Sequence, residues 1–218
     1  MRAIYIKMTK SMILRGKSLS MVMRTLLFPL FCVTGSLLFT SCEETTEIDE
    51  YANWQERNEA FIDSIASVVD HCNDGRWVKI LAYNLNNNDI DGNIAIHDNA
   101  DYVYCYKEQS GTGTEHPLTF VSVDYRGRLM PTANHPSGFV FDESYKGAFN
   151  PNTCKPAEFR IDDVVAGWQT VLPHMTKGDR WIVYIPAKLG YGSQTKTNIP
   201  AHSTLVFDMH LADFATDK

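Results

Sequence analysis

The sequence contains few cysteines, and neither its cysteines nor its histidines are spaced as in metal sites. Five cysteines occur in 218 residues. Without a CxxC pair they indicate neither a disulfide framework nor a zinc site, so we expect no bound metal. Cys72, Cys105 and Cys154 lie in the body of the chain. One disulfide or three free thiols are equally compatible with their number in an exported protein.

The body of the chain is also poor in positive charge. Residues 1–41 contain six lysines and arginines and no acid, although the whole chain has a net charge of −6. The remainder therefore has a net charge of −12, from 14 basic and 26 acidic residues. Binding to a nucleic-acid backbone needs positive charge, so this balance argues against a nucleic-acid partner.

A long apolar run is missing as well. The stretch at 25–39, TLLFPLFCVTGSLLF, is interrupted by Pro29 and Gly35, and it is shorter than the roughly 20 residues of a membrane-spanning helix. Its basic flank and length are typical of a signal peptide. Small residues then lead to Cys42, which resembles a bacterial lipidation site. The alternative is an ordinary secretory signal that happens to contain a cysteine.

We therefore predict a signal peptide at 1–41, a lipid on Cys42 and an acidic tether at 42–49. Dual acylation would anchor the protein stably, because one acyl chain binds membranes only marginally. The predicted location is the bacterial cell envelope, with the lipid in the outer membrane and the protein on its periplasmic or outer face. The acidic run after Cys42 is either a surface-export signal or a plain spacer.

The rest of the chain indicates an α+β fold. Apolar residues recur at helical spacing over 50–70, which predicts an amphipathic helix. Residues 71–100 are rich in asparagine, aspartate and glycine, apart from a candidate strand at 76–83, and form a predicted connecting segment. Alternating strands are predicted at 102–106, 118–125, 180–185 and 204–211, with one short helix at 161–172 between them. The connecting segment has no assigned function.

Eight short blocks between residues 121 and 207 then occur in the order typical of one family. They are VSVDYRGRL (121–129), GFVFDES (138–144), PAEF (156–159), VVAGW (164–168), IP (185–186), GYG (190–192), IP (199–200) and LVF (205–207). In these blocks the chain resembles FKBP-type peptidyl-prolyl cis-trans isomerases, and PAEF is similar to the macrophage-infectivity-potentiator branch. The resemblance covers about half of the chain, and we assign residues 101–216 to the isomerase domain.

The resemblance implies a half-barrel antiparallel sheet wrapped around one short helix, with an apolar pocket that binds proline and needs no cofactor. Trp168 would form the pocket floor. The Val165 backbone N–H and the Tyr191 hydroxyl would hold substrate carbonyls, and Asp142 would lie at the pocket edge. The walls would come from Val165 and five further residues, Tyr125, Phe141, Val164, Ile199 and Phe207.

Each of these residues also has a plainer interpretation. Trp168 and the phenylalanines could belong to the core, as aromatic residues usually do. Asp142 could be an exposed acid, and Tyr191 between two glycines could be the tip of a loop. The family match favours the site for all of them, because the family's pocket is the open end of its core.

Some features depart from the family pattern. An arginine often follows F-D-x-S in the family, whereas only Lys146 and Lys155 occur in that stretch here, and lysine lacks the planar fork of arginine. The loops at 130–137 and 143–155 are longer than usual and are expected to flank the pocket. Ala201 replaces the second proline of I-P-P. These departures bear on rate and sequence preference more than on fold.

The predicted function is isomerisation of X–Pro bonds in exported polypeptides. One alternative is a catalytically weak chaperone of the same fold. Another is a docking module of an envelope complex, held through the 50–70 helix. That helix could also form a homodimer, as in the infectivity-potentiator branch, or pack within its own chain.

Overall fold

A computed structural model describes residues 49–88 and 92–215. The described residues all belong to one compact unit, Thr46–Lys218. The predicted signal peptide at 1–41, the lipid site at Cys42 and nearly all of the predicted tether at 42–49 lie outside the described residues. Within those residues, no helix is both long enough and apolar enough to cross a membrane.

Seven strands form a single antiparallel sheet. The hydrogen-bonded order is β1-β2-β6-β7-β3-β4, and β5 pairs with the other part of β3. The strands are β1 (Trp77–Leu81), β2 (Tyr102–Gln109), β3 (Phe120–Leu129), β4 (Val140–Glu143), β5 (Ala157–Arg160), β6 (Arg180–Ile185) and β7 (Leu205–Ala215). Because β1 comes from the predicted connecting segment and pairs with β2, the sheet begins before residue 101.

The two faces of the sheet carry different side chains, as the period of two requires. On β2, Val103 and Cys105 belong to the main core, whereas Tyr104 between them belongs to a second cluster on the opposite face. On β6, Val183 joins the main core and Tyr184 the second cluster. Both faces of this part of the sheet are therefore covered, each by one helix.

Helix α2 (Ala166–Val171) covers the inner face. The predicted continuous helix at 161–172 is wrong, because 3-10 turns at Ile161–Asp163 and Leu172–His174 flank an α-helix of six residues. The backbone at Val164 and Val165 is extended. A Cβ at Gly167 would lie 2.4 Å from the Ile185 side chain, so only glycine allows α2 to approach the sheet this closely.

Helix α1 (Trp54–His71) packs on the outer face, where Ile62 and Ala66 contact Tyr104. The helix begins four residues later than the predicted start at residue 50. The predicted apolar stripe is wrong at Val68, which is 45% exposed. The apolar face of α1 is thus covered within one chain, so a homodimer through this helix would have to use its exposed face.

Polar contacts fix α1 to the loop before β7. The Trp54 indole N–H donates to Ser203 Oγ over 2.9 Å. The Thr204 backbone N–H donates to Asn58 Oδ1 over 2.7 Å, in a buried position. These bonds satisfy polar groups that burial would otherwise leave unpaired, so they specify the docked position of the helix.

The sequence also left the state of three cysteines open. Cys72, Cys105 and Cys154 are free thiols, and burial raises the pKa of Cys105. Within residues 49–88 and 92–215, no group of three or more potential ligands is placed to hold a metal ion. Asn88 and Ile94 form an isolated β-bridge in the connecting segment.

Candidate active site: an aromatic pocket over helix α2

A cavity of about 280 Å³ opens between α2, the β3–β4 edge and the loop after β6. Its walls are mainly aromatic and aliphatic, with two carboxylates and two tyrosine hydroxyls. The lining residues are Tyr125, Phe141, Asp142, Phe159, Asp163, Val164, Val165, Trp168, Tyr191 and Phe207. A pocket of this type, apolar with a few polar groups, is suited to an apolar ring whose orientation is fixed by hydrogen bonds.

Trp168 lies at the centre of the aromatic cluster and is 4% exposed. Its ring makes edge-to-face contacts with Tyr125, Phe159 and Phe207, with centroids 5.4, 5.3 and 5.2 Å apart. Edge-to-face contacts suit the ring quadrupole and hold each ring in one orientation. The indole N–H has no hydrogen-bond partner in the described part of the chain. Trp168 thus offers a rigid apolar base.

A glycine on β3 allows two of the walls to approach each other. A Cβ at Gly127 would lie 2.6 Å from the Phe141 ring and 2.7 Å from the Phe207 ring. Those two rings pack edge to face, with centroids 5.6 Å apart. The missing side chain at Gly127 therefore makes room for the aromatic wall.

The polar edge of the cavity is organised by Tyr125 and Asp142. The Tyr125 hydroxyl donates to Asp142 Oδ2 over 2.7 Å, and Asp142 Oδ1 accepts the Glu143 backbone N–H over 2.9 Å. Burial, reinforced by the hydrogen bond to Asp142, raises the pKa of Tyr125. The Tyr125 hydroxyl therefore stays protonated at neutral pH and remains a donor to the carboxylate.

Backbone donors come from the start of α2. Val165 is the N-cap residue, with φ −61° and ψ 152°, and no side chain caps the helix. The first N–H groups of a helix have no intrahelical acceptor, so this end of α2 can supply donors to a bound carbonyl. Across the cavity, the Tyr191 ring lies 5.6 Å from Lys196 Nζ.

The structure brings together eight of the nine residues predicted for the site, all except Ile199. Ile199 is 5% exposed and packs in the main core, and it is not among the residues that line the cavity. Sequence reasoning missed Phe159 and Asp163. Phe159 is the last residue of the PAEF block and could have been assigned to the pocket from that block. Asp163 directly precedes Val164, and no sequence feature marked it as a pocket residue.

Neither of the two long loops lines the cavity. No residue of 130–137 or 143–155 is among its lining residues in the described part of the chain. Lys146 Nζ donates a hydrogen bond to Glu143 rather than to Asp142. Glu143 Oε2 also forms an ion pair with Arg126, with Arg126 Nε at 2.6 Å. Asp142 therefore pairs with Tyr125 where the family often supplies an arginine.

Sheet, helix and pocket together define the isomerase fold: a curved antiparallel sheet around a short helix, with an aromatic cavity over that helix. The comparisons with known proteins specify it further. Residues 111–212 match the family described as FKBP-type peptidyl-prolyl cis-trans isomerase. The match covers 102 of the 218 residues, so this part of the chain is similar to that family.

Similar proteins come from several bacteria. The chain is 37% identical over 95 residues to the FKBP-type peptidyl-prolyl cis-trans isomerase FkpA of Buchnera aphidicola, covering 44% of this chain and 34% of that protein. It is 36% identical over 92 residues to the outer membrane protein MIP of Legionella longbeachae, covering 42% and 34%. The chain thus spans about a third of the length of these relatives. The crystal structure of FkpA from Escherichia coli aligns with TM-score 0.50 and 26% identity, covering 74% of this chain and 61% of that one.

Proposed function

We propose that the protein is a peptidyl-prolyl cis-trans isomerase that acts on X–Pro bonds in the pocket over Trp168. The observation that carries this proposal is the pocket itself, in which Trp168 is enclosed by three edge-to-face rings beside the Tyr125–Asp142 hydrogen bond. A proline ring matches this cavity in character, because it is apolar and its own nitrogen has no N–H to satisfy.

The chemistry requires only rotation about one bond. An amide must lose its resonance to rotate, against a barrier of roughly 18–20 kcal/mol. The twisted amide is less dipolar than the planar one, so an apolar cavity disfavours the ground state more than the transition state. No covalent bond breaks, and the mechanism calls on no cofactor.

The polar groups at the cavity would orient the substrate. The N–H of Val165 at the start of α2 and the hydroxyl of Tyr191 would donate to carbonyls on the two sides of the proline. Asp142 accepts hydrogen bonds from the Tyr125 hydroxyl and the Glu143 backbone N–H. These bonds would keep its carboxylate at the edge of the pocket, where it would face polar groups of the substrate. Holding the chain on both sides of the bond favours the geometry of rotation over other bound states.

The proposed setting is the bacterial cell envelope, with proline-containing exported polypeptides as clients. The signal-like segment at 1–41 and the cysteine at 42 support a lipid anchor in the outer membrane. The printed name of the Legionella longbeachae relative, outer membrane protein MIP, agrees with that setting. There the protein would assist folding, since uncatalysed isomerisation takes tens to hundreds of seconds.

A protease-free assay of proline isomerisation tests the proposal. We expect the purified protein to accelerate a proline-limited refolding step, with kcat/KM about 2- to 10-fold lower for Tyr191→Phe and Asp142→Ala, since each loses hydrogen bonding. The matched controls are Tyr83→Phe and Asp74→Ala, at exposed positions outside the cavity. A folded protein that gives no acceleration refutes the enzyme and leaves a binding module of the same fold.

A further inference from the structure

A second cavity, of about 470 Å³, lies between α1 and the segment that follows β6. We call it the acidic groove. Its buried lining includes Ile62 and Pro186, and its exposed lining includes Glu59, Asp63 and Asp98. Its volume falls within the roughly 300–1,000 Å³ of ligand sites, and the proposed isomerase function makes no use of it.

The carboxylates of the acidic groove lack cationic partners. Glu59 accepts a bond from the Gln55 amide over 2.8 Å, Asp63 from the Asn99 amide over 2.8 Å, and Asp98 from the Ala100 backbone N–H over 2.9 Å. All three donors are neutral. Within the described residues, none of these carboxylates forms an ion pair.

The cationic residue in the groove forms its ion pair with a carboxylate outside this set, although the charge of Asp98 also helps to raise its pKa. Among the described residues, Lys188 is the lysine or arginine that lines the groove, and its Nζ binds Asp101 instead. The groove therefore combines an apolar base with an excess of negative charge at its rim. Long basic side chains match this combination, because their methylene stems pack on apolar surface while the charged head stays among acceptors.

The acidic groove and the aromatic pocket share the loop that follows β6. Tyr191 lines the pocket, and the next residue, Gly192, lines the groove. A polypeptide whose proline occupies the pocket would cross this loop to place a second side chain in the groove. The chain's own segment before the described residues is a poor occupant, because Glu43, Glu44 and Glu47 would add like charge.

We propose that the acidic groove binds a lysine or arginine side chain of the client polypeptide whose proline occupies the aromatic pocket. This inference rests on the proposed isomerase function for the identity of the client. It makes the protein selective for X–Pro bonds that have a basic residue nearby. Two anchored side chains would strengthen client binding through a raised effective concentration, without further contacts.

Binding of a proline-free peptide tests the groove apart from catalysis. The probes are a fluorescent tetralysine peptide and a matched tetraglutamine peptide, measured by anisotropy with the full protein. We expect tetralysine to bind at least five-fold more tightly at low salt and to lose that preference at 0.5 M salt, because exposed charges are screened there. Equal binding of the two peptides overturns the proposal.

The variants Glu59→Gln and Asp63→Asn keep an amide oxygen for their present donors and remove the charge. We expect each to weaken tetralysine binding roughly two- to five-fold. The matched controls, Glu56→Gln and Asp70→Asn, lie on the same helix outside the groove and should leave binding unchanged. An equal loss of tetralysine binding in the control variants would show that the peptide responds to the overall charge of the protein. That result would overturn the proposed binding site.

Isomerisation of proline peptides then separates the two proposals. We expect a peptide with lysine near its proline to have a lower KM than its glutamine counterpart, with the difference lost in Glu59→Gln/Asp63→Asn. If the lysine peptide is turned over no better, the groove does not serve the client. If tetralysine binds but no proline peptide is isomerised, the enzyme proposal fails, whereas the acidic groove remains a binding site for basic side chains.

Discussion

The Tyr125 hydroxyl and the Asp142 carboxylate are joined by a 2.7 Å hydrogen bond that connects β3 to β4 at the edge of the pocket. In the sheet, Tyr125 does not pair with Asp142, because Asp142 lies opposite Gly127. The bond therefore joins two residues that are diagonal neighbours in the sheet. The residue directly opposite Asp142 is Gly127, which leaves room for the aromatic wall. It fixes the polar edge of the pocket on the two strands that also carry the Tyr125 and Phe141 rings.

The pH dependence of activity follows from this pair. Because burial raises the pKa of Tyr125, its hydroxyl keeps the proton that a free tyrosine loses near pH 10. The stabilisation is thus fully present below about pH 10 and is lost only as pH rises through the higher folded pKa. We expect kcat/KM to stay level from pH 7 to pH 9.5 in the wild type. A fall near pH 9 that disappears in Tyr125→Phe would contradict this assignment.

The strands were the most predictable part of the fold. The strand at Arg180–Ile185 was confirmed to the residue, because alternating side chains on a strand between two partners leave a clear period of two. The end of β7 was predicted at residue 211 but lies at Ala215. Its last residues pair with the start of β3 beyond a register shift at Ser122/Val123, and long-range pairing leaves no local signal.

The pocket was predictable in composition but not in shape. Val164 and Val165 were placed within the predicted helix at 161–172, whereas the structure extends both residues, and both line the pocket. β-Branched residues accept that extended backbone readily. Ile199 has the same apolar character, yet it does not line the cavity. Only the path of the chain decides which apolar residues reach the cavity.

Gly127 should be among the positions least tolerant of a methyl group. Gly127→Ala would force the Phe141 and Phe207 rings apart, since the new Cβ lies 2.6–2.7 Å from them. Overpacking of this kind costs about 1–3 kcal/mol of unfolding free energy. We expect Gly127→Ala to lose that amount in urea unfolding and to lose most isomerase activity.

A second substitution tests the cause of that loss. Phe141→Leu removes the ring atoms closest to the new Cβ, so the double variant Gly127→Ala/Phe141→Leu should recover part of the stability lost by Gly127→Ala. The two changes should therefore couple by at least 0.5 kcal/mol, as residues in contact do. Additive effects on stability would show that the methyl group disturbs something other than the aromatic wall.

A contact between a buried carboxylate and an imidazole crosses the outer face behind the pocket. Asp124 and His210 are cross-strand partners, with Asp124 Oδ2 3.1 Å from His210 Nδ1, and Asp124 is 1% exposed. Phe149 covers the histidine, with ring centroids 4.9 Å apart. His210→Leu would leave the buried Asp124 carboxylate without its partner. We therefore expect the free energy of unfolding in urea to fall by about 3–5 kcal/mol.

The double variant Asp124→Leu/His210→Leu supplies the control for that pair. Replacing both partners by apolar residues removes the stranded charge, and such replacements are often close to neutral. The double variant should therefore be more stable than His210→Leu. If it is the less stable of the two, the pair contributes more than its own desolvation cost and our account of it is wrong.

The docked position of α1 should depend on Asn58 more than on any exposed residue of the helix. Asn58 Oδ1 accepts the buried Thr204 N–H, and its amide donates to the Trp54 carbonyl over 2.7 Å. Asn58→Ala leaves the Thr204 N–H buried without a partner, which costs about 1–3 kcal/mol. Glu56→Ala, on the exposed face, should change stability by less than about 0.5 kcal/mol. Both values come from urea unfolding of the purified protein at several concentrations.

A neutral Asn58→Ala would mean that α1 is not docked in solution as in this structure. Its apolar face would then be free for a second chain, and stability would rise with protein concentration.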